Sequence, residues 1–374
     1  MSNLYFHYPF CKQACHYCNF HFSTTSKTEN ALWMAMKKEM TLRLKELDLP
    51  IESIYFGGGS PSLLNPLAIS DLLGTIKSVY ELKSTVEVTL EVNPDDVTET
   101  YLVDLKKAGI NRLSLGVQSF LDHDLRLMNR AHQSSQALDA LKLISKIFTN
   151  FSVDLIYGMP YSSLTDWEQN LDTALSYNPP HISSYALTVE EKTVLYHQVK
   201  KNEVILLPEE AVEEQYHFMV QKLEQLGYVN YEFSNFGKPN FFSVNNQNYW
   251  KGKPYLGIGP SAHSFDGKHI RRWNVSNNQL YLKSIKEGQL PFEEEQLTQK
   301  DRYNEYLMTG LRTINGVSLL HVQETFGKRY ALYLEEQAAR HLSEQNFFWD
   351  GDHLKISASA KFLTDGLAAD LFMV

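Results

Sequence analysis

Along the first two-thirds of the chain, short runs rich in β-branched and aromatic residues alternate with longer stretches whose apolar positions recur at helical spacing. This is the pattern of parallel β/α architecture. Strands are predicted at Leu4–His7, Ser53–Phe56, Val86–Glu91, Arg112–Leu115, Ser152–Tyr157 and Ile182–Ala186. Helices are predicted over 28–47, 66–80, 98–108, 122–147, 165–176 and 208–226. The helix at 98–108 starts after Pro94-Asp95-Asp96 and stops at Gly109; Pro208-Glu209-Glu210 opens another that Gly227 ends. Six strands with crossover helices make either a doubly wound sheet or a partial (β/α)6 barrel.

The position of the unusual residues decides between these. A cysteine loop follows the first strand, Gly57-Gly58-Gly59-Ser60-Pro61-Ser62 follows the second, and Glu91-Val92-Asn93-Pro94 closes the third. Gln118 lies beyond the fourth, Asp154 to Gly158 ends the fifth, and Tyr185-Ala186 ends the sixth. All of them sit at strand C-termini. In a barrel these ends form one face, where (β/α) enzymes build their sites, whereas a doubly wound sheet concentrates its site at one switch point. The pattern therefore favours the barrel.

From about 296 onward the character changes. Asp301 to Arg312 has helical spacing, Asn315-Gly316 is a break, and helices are predicted near 318–326 and 328–345. Phe347-Phe348-Trp349-Asp350-Gly351-Asp352 reads as a small hairpin around Asp-Gly. The expected division is a core at 1–232, a connecting region at 233–295 and a smaller, mainly helical C-terminal domain at 296–374. The acidic run Glu293-Glu294-Glu295 is expected to be a solvated linker.

Composition narrows the function. A chain of 374 residues can bury a large core, and no apolar run approaches the roughly 20 residues that span a bilayer. The net charge of −9 gives a nucleic-acid partner no electrostatic support. The three cysteines, with no signal segment before them, point to a reducing cytoplasm, with room for peripheral contact with membrane partners.

Those three cysteines are the only ones in the chain, spaced C-x3-C-x2-C as Cys11, Cys15 and Cys18. They cannot fill a tetrahedral zinc site alone or pair evenly as disulfides. They can hold three irons of a 4Fe-4S cluster and leave the fourth open to a ligand; the alternative is an odd set of buried thiols. The glycine run lets backbone approach a ligand or is simply a tight turn. It is neither a Walker loop nor G-x-G-x-x-G. Glu91 binds an ammonium or is a solvated rim carboxylate, and Arg130 clamps a carboxylate or lies at the surface. Asp154, inside Phe-Ser-Val-Asp-Leu-Ile-Tyr, must find donors, which ribose hydroxyls would supply.

Tyr5-x-His7-x-Pro9-Phe10-Cys11-x3-Cys15-x-Tyr17-Cys18-x-Phe20 closely resembles the cluster motif of radical S-adenosylmethionine (SAM) proteins of the oxygen-independent coproporphyrinogen III oxidase family. Phe56-Gly-Gly-Gly-Ser-Pro-Ser, Gly116-Val-Gln-Ser-Phe120, Val153-Asp-Leu-Ile-Tyr-Gly-Met-Pro160 and Tyr249-Trp250…Gly257-x-Gly259-x-x-Ala262-His263-Ser264 match in order. The likeness runs on to Leu363-Thr-x-x-Gly366…Leu371-Phe372. The resemblance implies that Cys11, Cys15 and Cys18 bind the cluster and that SAM chelates its open iron through amino and carboxylate groups. It implies that Tyr5, Gly58, Gly59, Ser60 and Glu91 line the methionine end, and that Gln118, Arg130 and Asp154 complete the pocket. Ile156 and Ala186 lie near the adenosine. An external reductant would drive cleavage of SAM to methionine and a 5′-deoxyadenosyl radical. Ser60 stands where Thr is usual and keeps the hydroxyl.

The family holds two functions. The oxidases extend the motif to C-x3-C-x2-C-x-C and carry a longer N-terminal arm, whereas this chain has Phe20 at the fourth position and begins just ahead of the motif. Both features resemble the HemW group, heme chaperones that deliver heme to an accepting protein. The alternative is an oxidase or decarboxylase acting on coproporphyrinogen III or another small molecule; an inactive scaffold is disfavoured by the intact cysteines. The chaperone group typically has His-Asn-x-x-Tyr-Trp with a heme-binding histidine. Here the stretch is Asn245-Asn246-Gln247-Asn248-Tyr249-Trp250, and asparagine is a poor axial ligand. His263 is either a substitute or a structural residue, and Tyr249-Trp250 either contacts a porphyrin face or packs a joint between domains.

Overall fold

A computed structural model describes residues 2–47 and 50–374. Six parallel strands, β1 (Ser2–Tyr8), β2 (Ile51–Gly58), β3 (Leu82–Val92), β4 (Arg112–Gln118), β5 (Phe151–Tyr157) and β6 (His181–Ala186), lie side by side in chain order. The order never reverses, so the sheet winds as a partial barrel and has no doubly wound switch point. Each strand alternates. Leu4, Phe6, Ile54, Phe56, Leu90, Leu113, Leu115, Val153, Leu155 and Ile182 belong to one buried apolar core. Tyr55, Glu91, Arg112, Ser114, Asp154 and Ser183 point the other way, into a cavity. The two-residue period thus gives one apolar face, against the helices, and one polar face, inside the curve.

The helices are α1 (Glu29–Leu42), α2 (Pro66–Val79), α3 (Glu99–Ala108), α4 (Asp122–Leu127), α5 (Ser134–Ile147), α6 (Leu164–Leu175), α7 (Val194–Lys200), α8 (Glu209–Gln225) and α9 (Val244–Trp250). The helix expected over 122–147 is two, α4 and α5. Asn129 takes a left-handed conformation, φ 54°, just after α4, which asparagine tolerates better than most residues. The break turns the next residue, Arg130, into the cavity.

Residues 229–296 extend the same sheet at both edges. Strand β7 (Val229–Glu232) pairs with β8 (Asn235–Gly237), which is antiparallel to β6. On the other edge β9 (Tyr255–Ile258) is parallel to β1, followed by β10 (His263–Phe265), β11 (Ile270–Asn274) and β12 (Phe292–Gln296). The acidic run expected as a linker is therefore strand β12. Its Glu294 and Glu295 stand opposite Arg272 and Arg271 of β11, and Arg272 Nε donates to Glu294 at 2.7 Å. Cross-strand pairing of opposite charge is what admits so acidic a strand.

A buried carboxylate locks this extension to α1. Glu39, fully buried, accepts from Arg43 Nη1 (2.9 Å), Asn274 Nδ2 (2.7 Å), the Gly259 N–H (2.9 Å) and the Tyr281 hydroxyl (2.5 Å). Arg43 in turn donates to the Gly257 carbonyl and Ser264 Oγ. A second core, from Tyr303 to Leu371, builds the C-terminal domain around helices at 299–311, 319–326 and 328–343 and the predicted hairpin. Trp250 meets this domain through Arg312, 5.5 Å from the ring.

Removing one member of a buried ion pair costs about 3–5 kcal/mol. Glu39→Ala is expected to lower unfolding free energy by about that amount, measured by urea denaturation, with Arg43→Ala similar and the double variant less than additive.

Candidate cofactor site inside the barrel

The loop after β1 carries Cys11, Cys15 and Cys18, all partly buried and none in a disulfide. Neighbouring loops hold it from several sides. The Cys11 N–H donates to the Ser23 carbonyl at 3.0 Å and the His16 N–H to that of Met128 at 3.0 Å; the His16 carbonyl receives the Leu195 N–H at 2.8 Å. Lys12 pairs with Asp95 at 2.8 Å and also with Asp96, and Gln13 Nε2 reaches Asn129 Oδ1 at 2.7 Å. Burial pushes the Cys11 thiol up to about 11 and raises Cys18, so binding metal as thiolates releases protons.

The three thiols line one cavity of about 500 Å³, together with Gly58, Gly59, Ser60, Glu91, Gln118, Arg130 and Asp154. Among the described residues no three His, Cys, Asp or Glu side chains converge on a single metal ion. Three thiols lining one cavity suit a cluster, in which each thiolate takes a different iron. The donor set fits that group: three free thiols and a cavity able to take a further ligand.

The N–H groups at the end of the glycine run are taken by the chain itself. Gly59 N–H donates to the Tyr8 carbonyl at 2.8 Å and Ser60 N–H to the Phe10 carbonyl at 2.7 Å. A Cβ at Gly59 would stand 2.6 Å from the Phe10 carbonyl oxygen, and one at Gly57 would stand 2.9 Å from Glu91 Oε1. The glycines bring the β2 end against the cysteine loop and give Glu91 its place. Ser60 Oγ accepts from Asn93 Nδ2 at 2.8 Å.

Glu91 is a cavity carboxyl, not a solvated rim residue. Tyr55 donates to it at 2.9 Å, and burial, reinforced by Asp154, pushes its pKa up to about 7. Arg130 is not at the surface. It donates to Cys15 Sγ (3.5 Å), Asn93 Oδ1 (2.7 Å) and the Gly116 carbonyl (3.0 Å), tying the cysteine loop to β3 and β4, while its Nε lacks a partner. Gln118 ends β4 at φ 67°, folding back over Gly116, where a Cβ would meet its Nε2 at 3.0 Å. Asp154 already has protein donors, Ser114 at 2.8 Å and Ser152 at 3.0 Å. Burial still raises its pKa, and each oxygen keeps a second lone pair for a ligand.

Of the expected set, Tyr5 is the one residue that does not line this cavity; it stands level with Tyr55 in the β1–β2 register, on the same inward face. Its ring stacks on Tyr55 at 6.1 Å and its hydroxyl meets His7 Nδ1 at 3.2 Å. His263 is exposed on β10, between β9 and β11, and stacked on Trp273. Asn245 donates its N–H to Glu87 and accepts from Ser53 Oγ. Sequence reasoning missed Tyr55, Asn93, Arg112, Ser114 and Ser183. A signal existed: Arg112, Ser114, Gly116 and Gln118 recur at period two, placing all four on one strand face.

Residues 5–174 match the Radical SAM superfamily. The chain is 34% identical to the heme chaperone HemW of Bacillus subtilis over 88% of each chain. It is 30% identical to HemW of Mycobacterium tuberculosis (98% of this chain, 94% of the relative). It is also 33% identical to the mitochondrial radical S-adenosyl methionine domain-containing protein 1 of Danio rerio (87% and 78%). In fold it is similar to the coproporphyrinogen III oxidase HemN of Escherichia coli, a radical SAM enzyme, with a TM-score of 0.85, 21% identity, and coverage of 100% of this chain and 90% of that one. The chain belongs to the HemW family within the radical SAM superfamily.

Proposed function

We propose that this protein is a heme chaperone that carries a 4Fe-4S cluster and SAM and passes heme to an accepting protein. What carries the reading is the likeness, along 88% of both chains, to a protein named as a heme chaperone. Phe20 supports it: it lines the cavity, 66% exposed, at the position where an oxidase would add a fourth cysteine. The oxidase-like fold favours neither function, because fold alone does not carry chemistry.

In this reading Cys11, Cys15 and Cys18 hold the cluster. Such a cluster would supply one-electron reducing chemistry next to SAM, given an external reductant. The protein's own residues position and shield. Arg130 orients the Cys15 side of the loop, Glu91 accepts the amino N–H of SAM, and Asp154 with Gln118 faces the nucleoside. Position 245 offers no imidazole, so heme is held without an axial ligand from there. Among the described residues no helix is long and apolar enough to cross a membrane.

Glu91 makes SAM binding pH-dependent. Its carboxyl has a pKa of about 7, so below that pH it is protonated and a poor acceptor. SAM affinity is expected to rise as pH increases from 6 to 8, with a midpoint near 7, and to flatten in Glu91→Gln; equilibrium dialysis of the reconstituted protein checks this. Under anaerobic conditions the same preparation is expected to bind heme, read from the Soret band, and to leave coproporphyrinogen III undecarboxylated. Decarboxylation at enzyme-like turnover would establish the oxidase instead.

A further inference from the structure

Below the cofactor wall, the cavity contains a charged group with no role so far. Arg112 opens β4, is only 2% exposed, and lines the same cavity as the thiols. It lies four residues before Gly116, about 13 Å deeper along the strand. A buried guanidinium without hydrogen bonds is costly. Yet its Nε has no hydrogen-bond partner, and Glu87, the carboxylate paired with it, lies 3.9 Å away, beyond hydrogen-bond reach.

Glu87 is engaged elsewhere. Its oxygens accept the N–H groups of Val244 (3.0 Å) and Asn245 (3.2 Å) and the Ser243 hydroxyl (3.4 Å). The start of α9 thus takes the acceptor that would otherwise satisfy Arg112. Asp154, the next acid, is bonded to Ser114 and Ser152. Two neighbouring polar groups are also open. Thr89 stands opposite Arg112 in the β3–β4 register, and its Oγ1 is buried without a partner. Asn246 lines the cavity with no hydrogen bond to its side-chain amide, while its backbone N–H donates to Ser243 Oγ.

A free guanidinium fork with a hydroxyl and an amide beside it matches a carboxylate, whose two oxygens pair bidentately with arginine. A phosphate dianion fits less well, because Glu87, Glu91 and Asp154 face the same interior and repel the second charge. We propose that the barrel floor is a second ligand subsite, in which Arg112 binds the carboxylate of a small molecule lying deeper than the cofactor. A porphyrin propionate and a free small acid share this chemistry; only the first rests on the heme reading.

The test uses the full chain with its cluster reconstituted, and three probes: heme, heme dimethyl ester, which has no free carboxylate, and sodium propionate. Heme and its ester are titrated by absorbance and propionate by ligand-observed NMR. Arg112→Gln is expected to weaken a carboxylate probe by at least about tenfold and to leave the ester unchanged. Loss of heme's advantage over its ester in Arg112→Gln identifies a propionate arm of the porphyrin. An Arg112-dependent propionate response without heme binding supports the subsite while removing heme as its ligand. Arg112→Lys keeps the charge but not the fork, and is expected to fall between wild type and Gln; it carries the test where Arg112→Gln does not fold. Equal binding of both carboxylate probes to wild type and variants, or binding of neither to wild type, overturns the proposal.

Discussion

Charge buried inside the half-barrel must be paired, and the rest of the structure follows from how this is done. The strands turn Glu87, Glu91, Arg112 and Asp154 inward, into a region where an unpaired charge is costly. Each acid is satisfied by a different element. Glu87 holds the start of α9, Glu91 takes the Tyr55 hydroxyl, and Asp154 takes two serines. Arg130 binds Asn93 and Gly116 and reaches the cysteine loop. Most of the barrel is therefore preorganised without a ligand, which is how a site can bind charged groups without reorganising. Arg112, whose Nε has no partner, is the place where that pairing is incomplete.

The same principle fixes the cysteine loop. A loop bearing three thiols has little apolar surface of its own to bury, so polar ties set its shape. Lys12, Gln13 and the His16 backbone reach the segment after β3, the segment after α4 and the start of α7, and the glycines at the end of β2 allow the close approach a Cβ would block. On the opposite edge, Glu39 and Arg43 secure β9 to β11 against α1. The polar lining is thus supported from outside by a second buried ion pair, while the C-terminal domain keeps its own core.

Much of this was legible in the chain. The six central strands lie where their apolar alternation put them, because a two-residue period needs no tertiary information. The cavity residues were legible as strand ends and motifs. What the sequence hid were places where a distant partner decides the outcome. Nothing local to Glu293-Glu294-Glu295 announces a strand; Arg271 and Arg272 across the pair make it one. The break at Asn129 depends on a single left-handed residue inside an otherwise helical pattern. Of the protein donors of Asp154, Ser152 is local but Ser114 comes from β4, so only strand pairing brings it there. Tyr5 belongs to the motif and shares its inward face with Tyr55, yet it is not among the residues that line the cavity.

The central claim is that Cys11, Cys15 and Cys18 hold a cluster with one iron open to SAM inside this cavity. Electron paramagnetic resonance of the anaerobically reconstituted, reduced protein, with and without SAM, tests it most directly. The account predicts about four irons per chain and a cluster signal that changes when SAM is added, both lost on replacing the three cysteines by serine. A cluster signal indifferent to SAM, or iron retained by the triple variant, would contradict it.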